Sequence, residues 1–455
     1  MRVKLDIPLS LSEVKNACLL KGSGNFPDRQ ITYICTDTRE LCAGDLFVAL
    51  RGNNFNGNDF SGFARSLGCS ILGENIGISD ITVSSTTDAL LRLAAYYKSK
   101  LKSLRHNIGI TGSCGKTTTK EFLRHICKGS LKLTANEGNF NNYVGLSLTI
   151  LCAKADTEAL ICELGTNSPG EISMLTECLM PDIGIITNIG TSHVGAFGSR
   201  EKIAEEKSCI AKYCNSLICD IDEALLCDIK NRVTVSSQNY NADVVVIPVR
   251  VNESTSVINI KMPSGKRHTL QCRINAPHLY NDLAMAIYAA TLTGIDEDEI
   301  IMQISNLEPS LMRHRMIDLG TFKILDDSYN ASLESISGAL SQLSLFTSER
   351  SALLGDVLEL GEQSEFLHFK IGEIAHRSGI RNLFLYGQFA QIIKKGALTS
   401  GMDEKNIFIN TDLADIEKTA EQVIKNTRLG ETLLFKASHR LNLGAIIEKI
   451  KEKIG

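Results

Sequence analysis

The stretch Gly112-Ser-Cys-Gly115-Lys116-Thr117-Thr118-Thr119 carries the residue types that most directly imply chemistry. Glycines let backbone N–H groups turn inward toward an anion, a lysine can reach two phosphates at once, and a threonine hydroxyl is a hard oxygen ligand suited to Mg²⁺. Gly112, Ser113, Cys114, Gly115, Lys116, Thr117 and Thr118 are therefore candidate ligands of ATP phosphates. The strict Gly-x-x-x-x-Gly-Lys-Ser/Thr spacing fails, because Ile110 holds the first glycine position. A capped helix with a surface lysine is the structural alternative, and the loop alone does not separate a kinase, a GTPase and a ligase.

Three more residues stand at suggestive places. Glu163 ends the apolar run Ala159–Cys162, His193 closes Thr187-Asn-Ile-Gly-Thr-Ser-His193, and Lys207 closes Glu201-Lys-Ile-Ala-Glu-Glu-Lys207. Each alone has a structural explanation: a solvated or capping glutamate, a packed histidine, a lysine paired with glutamates one helical turn away. Together they follow strands of one nucleotide domain, where ligands gather in open parallel sheets.

The elements around them follow from apolar patterning. Ile108–Ile110 predicts a short strand, Thr111–Gly115 a loop and Thr117–Cys127 a helix, the setting a phosphate loop requires. Ala159–Cys162 and Ile183–Ile186 read as strands covered on both faces, and Arg200–Lys212 as a helix. Before them come strand-like pieces at Ile31–Cys35 and Asp45–Leu50, a Gly- and Asn-rich turn at Arg51–Asn58, and a helix at Thr87–Leu101.

Toward the end, strands at Phe322–Leu325, Ala352–Leu354, Leu383–Tyr386, Ile407–Ile409 and Thr432–Phe435 alternate with helices at Leu333–Leu345, Glu365–Arg377, Phe389–Leu398, Ala414–Asn426 and Leu443–Lys453. Such alternation predicts βαβ crossovers and a mostly parallel, Rossmann-like sheet, and without Gly-x-Gly-x-x-Gly a dinucleotide ligand does not follow. The expected α/β chain thus has three domains: residues 1–104, a central P-loop domain with a parallel sheet over 105–310, and a Rossmann-like domain over 311–455.

Bulk properties narrow the class. A chain of 455 residues exceeds one hydrophobic core, and its net charge of −4 leaves no basic footprint for nucleic acid. The 14 cysteines are scattered, without Cys-x-x-Cys pairs, and read as free thiols in a reducing compartment. No run reaches transmembrane length and the start lacks a signal-peptide pattern, so a cytoplasmic protein without membrane insertion is expected.

With Thr36-Asp-Thr-Arg39, Gly44–Leu50 and Asn56-Gly-Asn-Asp-Phe60 in the first domain, and Asn139-Phe-Asn-Asn-Tyr-Val-Gly145, Glu163-Leu-Gly165, Pro169-Gly-Glu-Ile172, Thr187–His193 and His278-Leu-Tyr-Asn281 in the second, the chain resembles the Mur ligase family over nearly its full length. Arg313-His-Arg315 and Asp326-Asp-Ser-Tyr-Asn-Ala331 extend the likeness. The family's own loop is Gly-x-x-Gly-Lys-Thr-Thr-Thr, which accounts for the failed strict spacing. Asp326–Ala331 and Leu354-Gly-Asp-Val-Leu-Glu-Leu-Gly361 look like the branch that adds D-alanyl-D-alanine, whereas the branch adding a single diamino acid usually carries Asp-Asn-Pro, and no Asn-Pro occurs here. Folylpolyglutamate synthase shares the central fold but not the Thr36–Phe60 module.

The resemblance implies an ATP-dependent ligase that joins D-alanyl-D-alanine to UDP-MurNAc-tripeptide through an acyl phosphate. A monomer is expected, with the oligomeric state left open by the sequence. It implies Lys116, His193 and Lys207 as catalytic, Thr117 and Glu163 on one Mg²⁺, and His193 with a carbamylated Lys207 on a second. Asn281 would hold adenine, Arg315 and Asp327 would bring the last domain onto the nucleotide, and Thr36, Asp37, Thr38 and Arg39 would touch the UDP group. For those last four, a polar strand-end turn is an equally good structural account. A single-diamino-acid ligase and a non-catalytic nucleotide-binding regulator are the competing readings. Cys114, Ala437 and His439 depart from the family pattern, His439 standing where an arginine is usual with Arg440 after it. A thiol at Cys114 is expected to be shielded from alkylation by ATP.

Overall fold

The structure is a computed structural model that describes residues 1–18, 28–52, 55–307 and 315–454. Asn53 and Asn54 of the glycine-rich turn, Arg313 and His314 of the Arg-His-Arg string, and the expected boundary at 310 lie outside the described residues.

Three sheets are built in chain order. The first runs β1 (Arg2–Ser10), β2 (Gln30–Cys35), β3 (Leu46–Val48), β4 (Ser70–Gly73) and β5 (Ile81–Thr82), with only the β1–β2 pair antiparallel. The helix Thr86–Ser99 then fastens this domain to the next. Tyr97 is fully buried; its hydroxyl donates to Ala153 O at 3.0 Å and accepts from Asp6 N at 3.1 Å. Lys98 lays its ammonium on the carbonyls of Cys178 and Leu179, the orphan acceptors at the end of the helix Glu171–Leu179.

The second sheet has nine strands: β6 (His106–Thr111), β7 (Leu133–Ala135), β8 (Ala159–Glu163), β9 (Ile183–Ile186), β10 (Ser216–Asp220), β11 (Arg232–Ser236), β12 (Val244–Val251), β13 (Ser256–Lys261) and β14 (Arg267–Cys272). Their spatial order is β14-β13-β12-β11-β10-β9-β6-β8-β7. The chain lays β7 and β8 on one side of β6 and then crosses to β9 on the other. That reversal opens a crevice at the carboxyl end of β6, the usual ligand site of a doubly wound sheet.

The expected parallel sheet is correct from β6 to β12, but β12–β14 form an antiparallel extension. The cause is local. Asn252 Oδ1 accepts from Ser254 N and Thr255 N at 3.0 and 2.8 Å, closing a tight turn that returns the chain beside itself. The expected helix Arg200–Lys212 is α-helical to Ser208 and finishes as a 3₁₀ turn, Cys209–Lys212.

The third sheet holds β15 (Arg315–Asp318), β16 (Lys323–Asp326), β17 (Arg350–Gly355), β18 (Leu383–Tyr386), β19 (Ile407–Asn410) and β20 (Thr432–Lys436), ordered β15-β16-β20-β17-β18-β19. It is parallel except for the edge strand β15, which the alternation did not foretell. Among the described residues no helix is long and apolar enough to cross a membrane.

Candidate active site

β6 delivers the glycine loop into the crevice. Gly112 has φ 146° and Gly115 φ 81°, both in the region that favours glycine. A Cβ at Gly112 would run into Thr187 Oγ1, and one at Gly115 would lie 2.5 Å from Asp282 Oδ1. The loop after β9 clasps the glycine loop from the side. Asn188 Oδ1 accepts from Ser113 N and Cys114 N, both at 3.0 Å; Gly190 N donates to Ser113 Oγ at 2.9 Å; and Thr187 Oγ1 donates to Cys114 O. Lys116 opens the helix Lys116–Cys127, and its ammonium lies 2.7 Å from Gly112 O. The helix N-terminus and this lysine make one electropositive pocket.

Next to it, Thr117 Oγ1 donates to Glu163 Oε2 at 2.6 Å, and Asn141 Nδ2 donates to Glu163 Oε1 at 2.9 Å. Glu163 is 4% exposed, so this carboxylate is fixed in a dry setting. Its backbone is fixed too: Glu163 N donates to Asn136 Oδ1 and Asn136 Nδ2 to Glu163 O, both at 2.9 Å. Behind them the buried Lys120 donates to Asn136 O at 2.5 Å.

His193 and Lys207 come in from the other side. Lys207 is 3% exposed, and burial, with Lys116 nearby, pushes its ammonium down to about 7. Its neighbour Glu206 is spent elsewhere, accepting from Gly170 N and Ile172 N at 2.8 Å and so capping the helix Glu171–Leu179. His193 has φ 61° and its Nδ1 lies 2.5 Å from Glu359 Oε2 of the C-terminal domain. Burial lowers the His193 pKa; Glu359 opposes this, while Lys116 and Lys207 add to it. Lys116, His193 and Lys207 are thus electrostatic neighbours of one another.

Two cavities flank this group. One of about 380 Å³ lies between the central and C-terminal domains, with Asn139, Asn167 and His193 on one wall and Tyr329, His439 and Arg440 on the other. A second, of about 240 Å³, is lined by Asn188, Asp220, Asp222, His278, Asn281 and Asp282. There Asn281 Nδ2 donates to Asp220 Oδ2 at 2.5 Å, and the buried Asn281 Oδ1 has no hydrogen-bond partner among the described residues. A buried acceptor left in this way suits a ligand that brings a donor.

Residues 110–290 match the Mur ligase middle domain. The chain is 32% identical to the UDP-N-acetylmuramoyl-tripeptide–D-alanyl-D-alanine ligase of Bacillus subtilis (strain 168), with 96% of this chain and 98% of the relative covered. The chain belongs to the Mur ligase family. Among solved structures, MurF ligase from Thermotoga maritima in complex with ADP is 27% identical with a TM-score of 0.82, over 92% of this chain and 97% of that one. A crystal structure of MurF from Acinetobacter baumannii superposes with a TM-score of 0.90 at 24% identity, covering 99% of this chain and all of that one, which speaks for the fold.

Within this Mur ligase the remaining expected site residues are spread more widely. Arg315 starts the edge strand β15, exposed and opposite Asp326 in register. Asp327 is buried and ion-paired at 2.5 Å with Lys436, which also donates to Asn330 O at 2.9 Å. The Thr36–Arg39 group is closed on itself: Asp37 caps Arg39 N at 3.0 Å and takes both Nε and Nη2 of Arg39, while Thr36 Oγ1 donates to Met1 O. Arg39, foremost, holds the Asp37 carboxyl well below the usual range.

The departures also have places. Ala437 is buried against Gly355, and His439 meets the Tyr329 ring edge-on at 5.8 Å. Cys114 Sγ accepts from Asn188 Nδ2 at 2.6 Å, and burial pushes the thiol up to about 11. A thiol raised in this way carries little reactive thiolate at neutral pH, which slows alkylation.

Residues without an assigned role in the sequence reading prove central. Asn188 holds the glycine loop, Asn136 and Lys120 hold Glu163, and Glu334 and Glu359 reach across from the C-terminal domain. Glu334 sits in the first turn of the helix Leu333–Leu343, where a glutamate ordinarily signals capping, so nothing local marked it.

Proposed function

We propose that this chain is an ATP-dependent amide ligase that joins D-alanyl-D-alanine to the terminal carboxylate of UDP-MurNAc-tripeptide, supplying the pentapeptide precursor of peptidoglycan. The observation that carries this reading is the convergence of Lys116, Thr117, Glu163, His193 and Lys207 on one crevice facing a polar interdomain cavity. It is supported by near full-length similarity to a ligase of that name and to a MurF structure in complex with ADP.

The reaction sets the requirements. A carboxylate cannot lose its oxygen to an amine in water, so it first attacks the γ-phosphorus of ATP, giving an acyl phosphate and ADP. The dipeptide's neutral amine then attacks the acyl carbon, and the tetrahedral intermediate expels phosphate as the nitrogen loses its proton. Two anions must meet in the first step, so fixed positive charge in a dry site is the chief demand. Lys116 and the N-terminus of the helix it opens answer it, and Asn188, which takes the Ser113 and Cys114 amides, keeps the loop in shape. Asn281 offers its unpartnered oxygen to the amino group of adenine.

The residues present also fit Mg²⁺. Thr117 Oγ1 and Glu163 Oε2 are hard oxygen donors already 2.6 Å apart, the sparse protein contribution typical of an ion shared with phosphates. These two would hold one ion beside Lys116, and His193 with a carbamylated Lys207 would hold a second. Bound there, Mg²⁺ would neutralise charge on the transferring phosphoryl group. A neutral amine is the form that takes up CO₂, and the lowered pKa of Lys207 makes that form available.

The acceptor belongs in the 380 Å³ cavity, a volume within the range of small-molecule sites. Arg440 is the one arginine or lysine lining it among the described residues, and it would take the dipeptide's carboxylate. Closure of the two domains over this cavity keeps water from the acyl phosphate. Mass spectrometry tests the reading: incubation with ATP, UDP-MurNAc-tripeptide and D-alanyl-D-alanine should add one dipeptide less one water, and no adduct with that dipeptide would refute it.

A further inference from the structure

Among the described residues only four non-glycine positions have positive φ, and two of them, His193 (φ 61°) and Glu359 (φ 66°), face each other across the domain interface. Side chains rarely tolerate that backbone, so both conformations need a reason. The surroundings show that the approach is built. Gly195 N donates to Glu359 O at 3.1 Å, and a Cβ at Gly195 would lie 2.6 Å from Gly361 N, so the two loops interlock with no space for a side chain. A second carboxylate grips the same loop: Glu334 Oε1 accepts from Thr191 N at 2.8 Å and Glu334 Oε2 from Thr191 Oγ1 at 3.1 Å. That loop is the one whose Asn188 and Gly190 hold the phosphate loop.

Stability alone is a poor reason for the pair. The Glu359 side chain is 62% exposed, and an ion pair so open to water contributes little. What the contact does decide is the ring. A carboxylate 2.5 Å from Nδ1 makes that nitrogen the donor and fixes the imidazole plane, leaving Nε2 with the lone pair.

We propose that Glu359 is a positioning residue: carried in by the C-terminal domain, it fixes the His193 ring with Nδ1 protonated and Nε2 free to serve the phosphate site. The device resembles the carboxylate–histidine pairs that orient ligating imidazoles, except that the carboxylate here belongs to the other domain. His193 is therefore set for its task only when the acceptor-side domain has closed, which ties activation of the carboxylate to enclosure of the site. Phosphoryl transfer before closure, which would expose the acyl phosphate to water, is thereby discouraged. The kinetic side of this inference rests on the ligase reading.

Two variants separate positioning from a structural role. Glu359→Gly keeps the positive φ at no steric cost but removes the carboxylate, whereas Glu359→Gln keeps an acceptor oxygen. Glu359→Gly should melt at the wild-type temperature yet lose roughly 10- to 100-fold in kcat. Its KM for ATP should move less than about threefold, and Glu359→Gln should retain most of the wild-type kcat. In ¹⁵N-histidine spectra recorded with ADP, His193 should show one Nδ1–H tautomer in wild type and a mixture in Glu359→Gly. Wild-type kcat in Glu359→Gly, equal impairment of both variants, or an unchanged tautomer would overturn the proposal. The spectra need no turnover, so a fixed tautomer in a protein inactive with D-alanyl-D-alanine would count against the reaction and for the role of Glu359.

Discussion

Thr117 and Glu163 meet at 2.6 Å, joining the first turn of the helix after the phosphate loop to the end of β8. The contact sets two hard oxygens beside the lysine that faces the loop, and the Asn136 clamp on the Glu163 backbone leaves them little freedom. Thr117→Ala and Glu163→Gln should each lower kcat/KM for ATP by roughly 10²- to 10³-fold, the scale of losing one preorganised group at a developing charge. Because the clamp runs through the backbone, circular dichroism melting of Glu163→Gln should stay close to wild type.

Lys207 links pH to stability. Its folded pKa of about 7 lies below the ordinary 10.5, so between those values the unfolded chain binds more protons and stability rises with pH. The cost of the buried ammonium, on the order of a few kcal/mol, is complete below about pH 7 and disappears toward about pH 10. Urea titrations in CO₂-free buffer, where Lys207 stays an amine, should therefore find Lys207→Met more stable than wild type at neutral pH, with a gap that narrows as pH rises. A gap independent of pH would contradict the buried-ammonium account. Turnover of Lys207→Ala should be lost and then partly restored by short carboxylates that stand in for a carbamate.

Cys114 should be a slow thiol. Held against Asn188 and pushed up to about 11, it should be alkylated at neutral pH more slowly than the exposed Cys42 and Cys227, with or without ATP. Peptide mapping after timed iodoacetamide treatment measures this directly; ATP-dependent protection from rapid labelling would show that the thiolate is more accessible than this geometry allows.

Arg440 should decide acceptor affinity. Arg440→Ala should raise KM for D-alanyl-D-alanine by roughly 10- to 100-fold, the loss expected for a charge-assisted hydrogen bond to a carboxylate. KM for ATP should be unaffected. Initial-rate kinetics with the dipeptide varied would reveal the split.

Much of this was legible in the residues. Gly112 and Gly115 announced a loop with unusual backbone angles, and the strand-helix alternation after residue 320 foretold a parallel sheet, because those signals are local. Glu163, His193 and Lys207 were findable because each ends or follows a strand of one sheet. The antiparallel extension β12–β14 was not read, since alternating strands such as Ser256–Lys261 carry weak signals beside the continuous apolar runs around them. Glu334, Glu359 and Lys436 stayed silent for another reason. Their partners Thr191, His193 and Asp327 lie more than a hundred residues away, and nothing in a local pattern records a contact made by folding.

The most direct test of the central claim is ADP release from purified protein given ATP, Mg²⁺ and UDP-MurNAc-tripeptide, with lysine- and diaminopimelate-containing tripeptides tried in turn, scanned over candidate amines. Release should depend on D-alanyl-D-alanine and stay at background with free lysine, diaminopimelate or no amine. Release driven by a free diamino acid, or none with any amine, would contradict the assignment.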